Sequence, residues 1–375
     1  MRICLITTEY FNHGVYGGIG AMARQKATAL AQRGVEVYAV TPRKKGQKPV
    51  EVVDGVTVLS YPGGLYTGLR ESRRYSALFR MIDADIYHTE EPCMGMRLAW
   101  EGAPAKKHSV TFMDPRTLTE RRKEWQEAGM TGRALWNRVY AHWRSAFDIR
   151  AAVRGADRRF ARVKSASAKT VRLYGLAEPP EFLPDPIEMA SDEVLKAVRP
   201  TVCFLGRWDP RKRPEYFFEL AKRFPAVRFI AMGGCQPHFA ERERWLRERY
   251  QGIQNLEMPG WQFGQDKVRI LEQSWVLINT SWRENLPVSY LEAAARKCAI
   301  LAYDNSDDFS SAFGYWARRG DLDDFAKGLT FLLEGDRWRA LGERGYEYVR
   351  TTHEFDTAMD RHLRIFEQLK GAGRR

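Results

Sequence analysis

The chain has 375 residues, is 44% hydrophobic and carries 60 Lys+Arg against 47 Asp+Glu, which fits two globular domains and excludes a disordered chain. No run approaches the ~20 apolar residues that cross a bilayer, and five cysteines without clustered spacing exclude a disulfide framework. The charge is uneven: residues 1–172 hold 30 Lys+Arg against 16 Asp+Glu, whereas residues 173–375 hold 30 against 31. All of the excess lies in the first half, which implies an anionic partner there.

In chain order, apolar runs alternate with amphipathic stretches, the pattern of a doubly wound α/β protein. Residues 2–7 read as a first strand, since the opening run is too short and too soon polar for a secretory signal. With Cys4, Cys203 and Cys298 in apolar strand-like runs, buried thiols and a cytoplasmic location are expected. Further strands are expected near 36–41, 56–61, 85–89, 109–112, 201–207, 227–233, 276–280 and 298–303. Helices are expected near 20–33, 116–128, 133–153, 166–173, 214–223, 239–250, 266–274, 287–296, 322–350 and 354–369. The proline-rich stretch 178–188 reads as a linker, giving domains at 1–180 and 181–353 and a terminal segment at 354–375.

Several positions carry chemistry. After the first strand, Gly17, Gly18 and Gly20 open a helix; glycines let backbone N–H groups approach a phosphate or sugar, and a plain turn is the alternative. The spacing is not the G-x-G-x-x-G of a dinucleotide site, which disfavours a dehydrogenase. Asp83-Ala84-Asp85 has the form of a metal-binding D-x-D but reads as a helix-to-strand turn, and no metal is expected there. Trp136, Tyr140, Trp143 and Phe147 fall on one helical stripe flanked by arginines; such a stripe is ordinarily core, and the alternative is an interfacial surface against anionic lipid. Arg70/Arg73/Arg74, Lys106/Lys107 and Arg121/Arg122/Lys123 add basic clusters, with no evident nucleic-acid motif.

In the second half, the strand 201–207 ends in Gly206-Arg207, and Lys212 follows five residues later. Arginine binds diphosphate oxygens with a planar fork and lysine adds a mobile point charge. Glu284 and Glu292, with seven residues between them, bracket a helix expected to begin near Leu286, with Asn285 as its cap and Pro287 in its first turn. Carboxylates on both sides of an anion-accepting helix start suit a sugar nucleotide, with polyol groups on both sides of a diphosphate.

Gly206-Arg207-x4-Lys212 followed by the two spaced glutamates resembles the retaining glycosyltransferases of family four, the group 1 glycosyltransferases of GT-B fold. Pro184-Asp185-Pro186-Ile187 also resembles the family's linker, with Asp185 where relatives usually carry asparagine. The resemblance implies two Rossmann-like domains facing a cleft, the last helix crossing back to the first. It implies transfer of a hexose from a nucleoside diphosphate sugar to an acceptor hydroxyl, without metal or other cofactor. Glu284, Arg207 and Lys212 would then be catalytic; Glu292, Gly17, Gly18, Gly20, Gly206, Asn285, Leu286, Pro287 and Val288 would bind the donor. On the acceptor side, relatives often end the strand near 109–112 in a histidine. Here that position is Met113, beside Asp114, and His88 and His108 are the nearby candidates to replace it. The expected acceptor is anionic or lipid-linked, and the basic half is expected to meet an anionic membrane surface on the inner face of the cytoplasmic membrane. A nucleotide-sugar epimerase and a non-catalytic binding subunit are the rival readings.

Overall fold

A computed structural model describes residues 1–11, 17–43, 46–62, 72–127, 129–191 and 193–372. Residues 12–16 of the glycine loop, Arg70, the side chains of Arg73 and Arg74, and 373–375 of the terminal segment lie outside the described residues.

The chain divides into two compact units, Met1–Pro186 with Asp356–Arg375, and Ile187–Phe355. The first unit holds eight strands: β1 (Arg2–Ile6), β2 (Glu36–Arg43), β3 (Val50–Val53), β4 (Val56–Pro62), β5 (Ile86–Thr89), β6 (Lys107–Phe112), β7 (Arg158–Ala161) and β8 (Glu181–Phe182), in the order β3-β4-β2-β1-β5-β6-β7-β8. All pair in parallel except β3, which forms an antiparallel edge hairpin with β4. That hairpin turns through Asp54 and Gly55, at φ 51° and 79°, as a two-residue loop with positive φ at both centres requires. The buried strands carry near-continuous apolar side chains, as a sheet covered on both faces demands.

The terminal helix Phe355–Gly371 belongs, from Asp356 onward, to this first unit. Arg33 pairs with Asp356 at 2.5 Å, Arg361 donates to the Phe182 carbonyl at 2.8 Å, and Lys370 meets Asp85 at 3.0 Å. His362 donates to the Pro184 carbonyl at 3.1 Å, and Ile365 packs with Phe160 and Leu183. Beneath it lies a buried ion cluster. Lys26 Nζ reaches Glu90 at 3.0 Å and Asp185 at 3.3 Å, and Arg162 Nε reaches Asp185 at 2.5 Å. Asp185 thus meets two cations that its charge neutralises.

His88 and His362 sit in the same core, 1% and 2% exposed. Burial, with the nearby Lys26 charge, pushes both imidazoles down to about 3. The folded values lie below the ordinary ~6.5, so this stabilisation is complete above that pH and is lost as pH falls toward the folded values. The loss is up to about 1.4 kcal/mol per histidine per pH unit. The melting temperature of the first unit should therefore fall between ~pH 6.5 and ~pH 4.5, and less steeply in His88→Gln/His362→Gln. Equal slopes in thermal melts of both proteins would refute this assignment.

The second unit is an all-parallel sheet of β9 (Thr201–Leu205), β10 (Arg228–Met232), β11 (Leu256–Gly260), β12 (Val276–Asn279), β13 (Ala299–Ala302) and β14 (Gly314–Trp316), in the order β11-β10-β9-β12-β13-β14. Chain order runs outward from β9 in one direction and resumes at β12 in the other. Sheets of this topology bind ligands beyond the carboxyl ends of the strands at that reversal. Val202, Phe204, Phe217, Phe229, Ile278 and Leu301 fill the core beneath it.

The stripe on the helix Gly132–Gly155 departs from the ordinary expectation of core. Trp136, Tyr140, Trp143 and Phe147 are 69%, 59%, 49% and 54% exposed. The buried face is instead Leu135, Ala141, Ser145, Ile149, Ala152 and Val153. Small residues let this helix approach its neighbour Met94–Gly102 closely, so the face opposite the aromatics turns inward.

Candidate functional site

β9 and β12 adjoin, and the loops leaving their carboxyl ends carry the charged residues. After β9, Gly206 N donates to the Met232 carbonyl at 3.2 Å, which lets the chain leave the sheet into Arg207. Arg207 Nε lies 3.1 Å from Asp209. Lys212 follows, and its carbonyl accepts a 2.7 Å hydrogen bond from Thr280 Oγ1, tying this loop to the end of β12. Lys212 Nζ donates to Glu284 Oε1. The structure therefore joins two residues 72 positions apart into one ion pair.

This pair is largely withdrawn from water. Burial lowers the Lys212 ammonium below its ordinary value, and Arg211 and Arg207 add to that while Glu284 opposes it. Burial works to raise the Glu284 carboxyl, but the charges of Lys212 and Arg211 overcome it and hold the group below the usual carboxylate range. Glu284 is fixed further through its backbone, whose N–H donates to Asp304 Oδ1 at 3.0 Å. Asp304 in turn accepts from Ser306 Oγ at 2.7 Å.

The segment after Glu284 differs from expectation. The helix spans Val288–Ala294, Pro287 stands at its cap in an extended conformation, and Asn285 lies in the loop rather than at the cap. Leu286 takes φ 47° with its side chain 1% exposed. A left-handed leucine costs about 1–2 kcal/mol; anchoring its side chain in the core offsets this and turns the backbone into the helix. Glu292 is in the second turn and pairs with Lys267 at 2.6 Å.

Sequence reasoning missed Lys267, Asp304 and the turn Gly233-Gly234. A Cβ on Gly233, at φ 130°, would lie 1.9 Å from the Gly206 carbonyl oxygen, so only glycine lets the β9 and β10 loops touch. Two glycines at a strand's carboxyl end were the legible signal. Nothing in the local sequence marks Asp304 or Lys267.

In the first unit, the glycines have a local structural reason. A Cβ on Gly17 would lie 2.5 Å from the Glu9 carboxylate, and one on Gly20 would lie 3.2 Å from the Glu9 Cβ. Gly18 is exposed at the start of the helix Gly18–Gln32. Met113 is buried at 2%. Asp114 is held by Arg116 Nε at 2.6 Å, and Arg116 is also paired with Glu124. His88 corrects an expectation: its Nδ1 meets Ser109 at 2.9 Å and its Nε2 meets Thr111 at 3.2 Å, both inside the core. Neither nitrogen is left for an acceptor. His108 is likewise buried, with Nε2 2.9 Å from the Ala103 carbonyl. Asp83 pairs with Lys106 at 2.8 Å, and Asp85 accepts from Arg2 N at 2.8 Å, so both anchor the turn before β5. Lys107 pairs with Asp157 at 3.4 Å, so this part of the basic excess is locally neutralised.

The sequence pattern described as glycosyl transferases group 1 matches residues 199–335, and that of the glycosyl transferase 4-like domain matches residues 17–184. Comparison with curated proteins gives no sequence match. Among solved structures, sucrose-phosphate synthase from Thermosynechococcus elongatus is similar at 16% identity and TM-score 0.77, covering 99% of this chain and 100% of its own. Anabaena HepE, solved with UDP and glucose, is 12% identical, with TM-score 0.70 over 98% and 99% of the two chains. The catalytic domain of starch synthase IV from Arabidopsis thaliana, solved with ADP and acarbose, is 12% identical, with TM-score 0.64 over 99% of each. At these identities the likeness is one of fold. The two matched patterns fall one on each unit and together span most of the chain: the protein belongs to the group 1 glycosyltransferases and has the GT-B fold.

Proposed function

We propose that the protein transfers a hexose from a nucleoside diphosphate sugar to an acceptor hydroxyl with retention at the anomeric carbon. The buried Lys212–Glu284 pair beside Arg207, where the strand order of the second unit reverses, carries this reading. Arg207 and Lys212 stabilise the diphosphate as its bond to the sugar breaks and it gains charge. The backbone at Leu286–Val288 and the Gly206 turn add to the same oxygens. Glu284 holds hydroxyls of the transferred sugar, and Glu292 holds those of the ribose. The acceptor oxygen bonds to the anomeric carbon, and the leaving phosphate takes its proton. Such a step needs no base at Met113, whose thioether can neither take nor give a proton. Within the first unit, Gly17, Gly18 and Gly20 offer backbone N–H groups at a helix start to a phosphate or sugar, and Asp114 stays on the acceptor side. The excess of basic residues in 1–172 favours an anionic or lipid-linked acceptor of cell-surface glycan synthesis, reached from the cytoplasmic side.

Screening nucleotide sugars by thermal shift tests the donor, since a ligand at 100 times its Kd stabilises by about 2.7 kcal/mol. With that donor, Glu292→Ala should mainly raise KM, because ribose contacts persist through the reaction. Turnover should survive excess chelator; loss restored by Mg²⁺ or Mn²⁺ would refute the metal-independent reading. Free sugar formed without acceptor would favour an epimerase.

A further inference from the structure

The exposed aromatic stripe is not used by the donor chemistry. At about 100° per residue, Trp136, Tyr140, Trp143 and Phe147 fall within an arc of about 60° and extend over ~16 Å of helix. They touch one another: Tyr140 and Trp143 ring centroids are 6.2 Å apart, and those of Trp143 and Phe147 are 5.3 Å apart. On the same helical wheel, Arg133 and Arg144 line one edge of the stripe and Arg150 the other. The helix has five arginines and one acid, Asp148, whose carboxylate is taken by Arg97. The opposite face is packed against its own unit, so the aromatic face is the one turned to solvent.

We propose that this face of the helix Gly132–Gly155 lies on an anionic lipid surface, with the helix in the plane of the interface. The assignment deepens the lipid-side acceptor reading above and rests on it. Indole and phenol rings place an apolar body among acyl chains and a polar tip among headgroups, and the flanking arginines meet lipid phosphates. No helix among the described residues is long and apolar enough to cross a membrane, so contact of this kind is interfacial. A second copy is the poorer occupant. A two-fold contact on this stripe would bring the arginine edges of the two copies together, with no free acid on the helix to receive them.

The test uses the full chain, sedimented with phosphatidylglycerol-containing vesicles and with pure phosphatidylcholine vesicles. The wild type should bind the anionic vesicles only, and high salt should weaken binding. Trp136→Ala/Trp143→Ala should lower vesicle partition at least about tenfold. Trp136 is mostly and Trp143 about half exposed, so the variant should keep the wild-type melting temperature and the wild-type thermal shift with nucleotide sugar. Equal vesicle binding by variant and wild type, or no binding by either, overturns the proposal. Dimerisation that the same variant abolishes would assign the face to a second copy instead. Donor binding and donor turnover without vesicles are read separately, so failure at the membrane is distinct from failure of the glycosyl-transfer reading.

Discussion

Lys212→Ala and Glu284→Ala should each lower turnover by about two orders of magnitude, the usual effect of deleting a charged contact that strengthens in the transition state. The loss should appear in kcat rather than in donor KM. Glu284→Ala also strands a charge, because Lys212 then stays buried beside Arg211 and Arg207, whereas Lys212→Ala leaves Glu284 with Arg211 but without its hydrogen-bonded cation. Removing one partner of a buried pair costs about 3–5 kcal/mol, so the melting temperature of each variant should fall. The double variant Lys212→Ala/Glu284→Ala should recover part of that stability, since no isolated charge remains, while turnover stays low. Calorimetry and steady-state kinetics on the four proteins separate the two effects. Full turnover in Lys212→Ala would end the assigned mechanism; additive stability losses would show that the pair is not coupled.

Lys26→Ala should be the most damaging single change in the first unit. Lys26 Nζ is the cation between Glu90 and Asp185; without it Asp185 keeps Arg162, while the buried Glu90 loses its 3.0 Å partner. The expected cost is about 3–5 kcal/mol, or roughly 10 °C for a unit of this size. Glu90→Gln in the Lys26→Ala background should restore part of it by removing one uncompensated charge. The cluster joins the helix Gly18–Gln32, the end of β5 and the chain just before the second unit. Amide exchange should therefore speed at all three places together. A loss below about 1 kcal/mol, with exchange unchanged, would show that water replaces the lysine without strain.

Much of the architecture was written in local pattern. Buried parallel strands need continuous apolar runs, and 2–6, 36–43, 201–205, 276–279 and 299–302 have them. β3 was missed, although the Asp54-Gly55 dipeptide between valines is a strong hairpin signal. β7, Arg158–Ala161, was missed because half its residues are arginine, whose long stems let a charged side chain sit at the sheet margin. The helix Met94–Gly102 was missed because a short run with methionine, glycine and tryptophan has too little periodicity to tell helix from strand.

For the site, sequence alone determined the residue types, their spacing, the loops after the strand ends on which Arg207, Lys212 and Glu284 stand and the helix that carries Glu292, because those depend on local periodicity and on proline and glycine. Tertiary structure decided the pairings. Lys212 closes on Glu284 across 72 residues, Asp304 captures the Glu284 amide, and Lys267 meets Glu292, each brought together by the parallel order of the sheet. It also decided which way the aromatic helix faces. Periodicity places Trp136, Tyr140, Trp143 and Phe147 on one stripe but is silent on whether that stripe or its small-residue opposite is buried. The close approach of the neighbouring helix selected the small face, because alanine and serine let two helices pack where four aromatic rings would hold them apart.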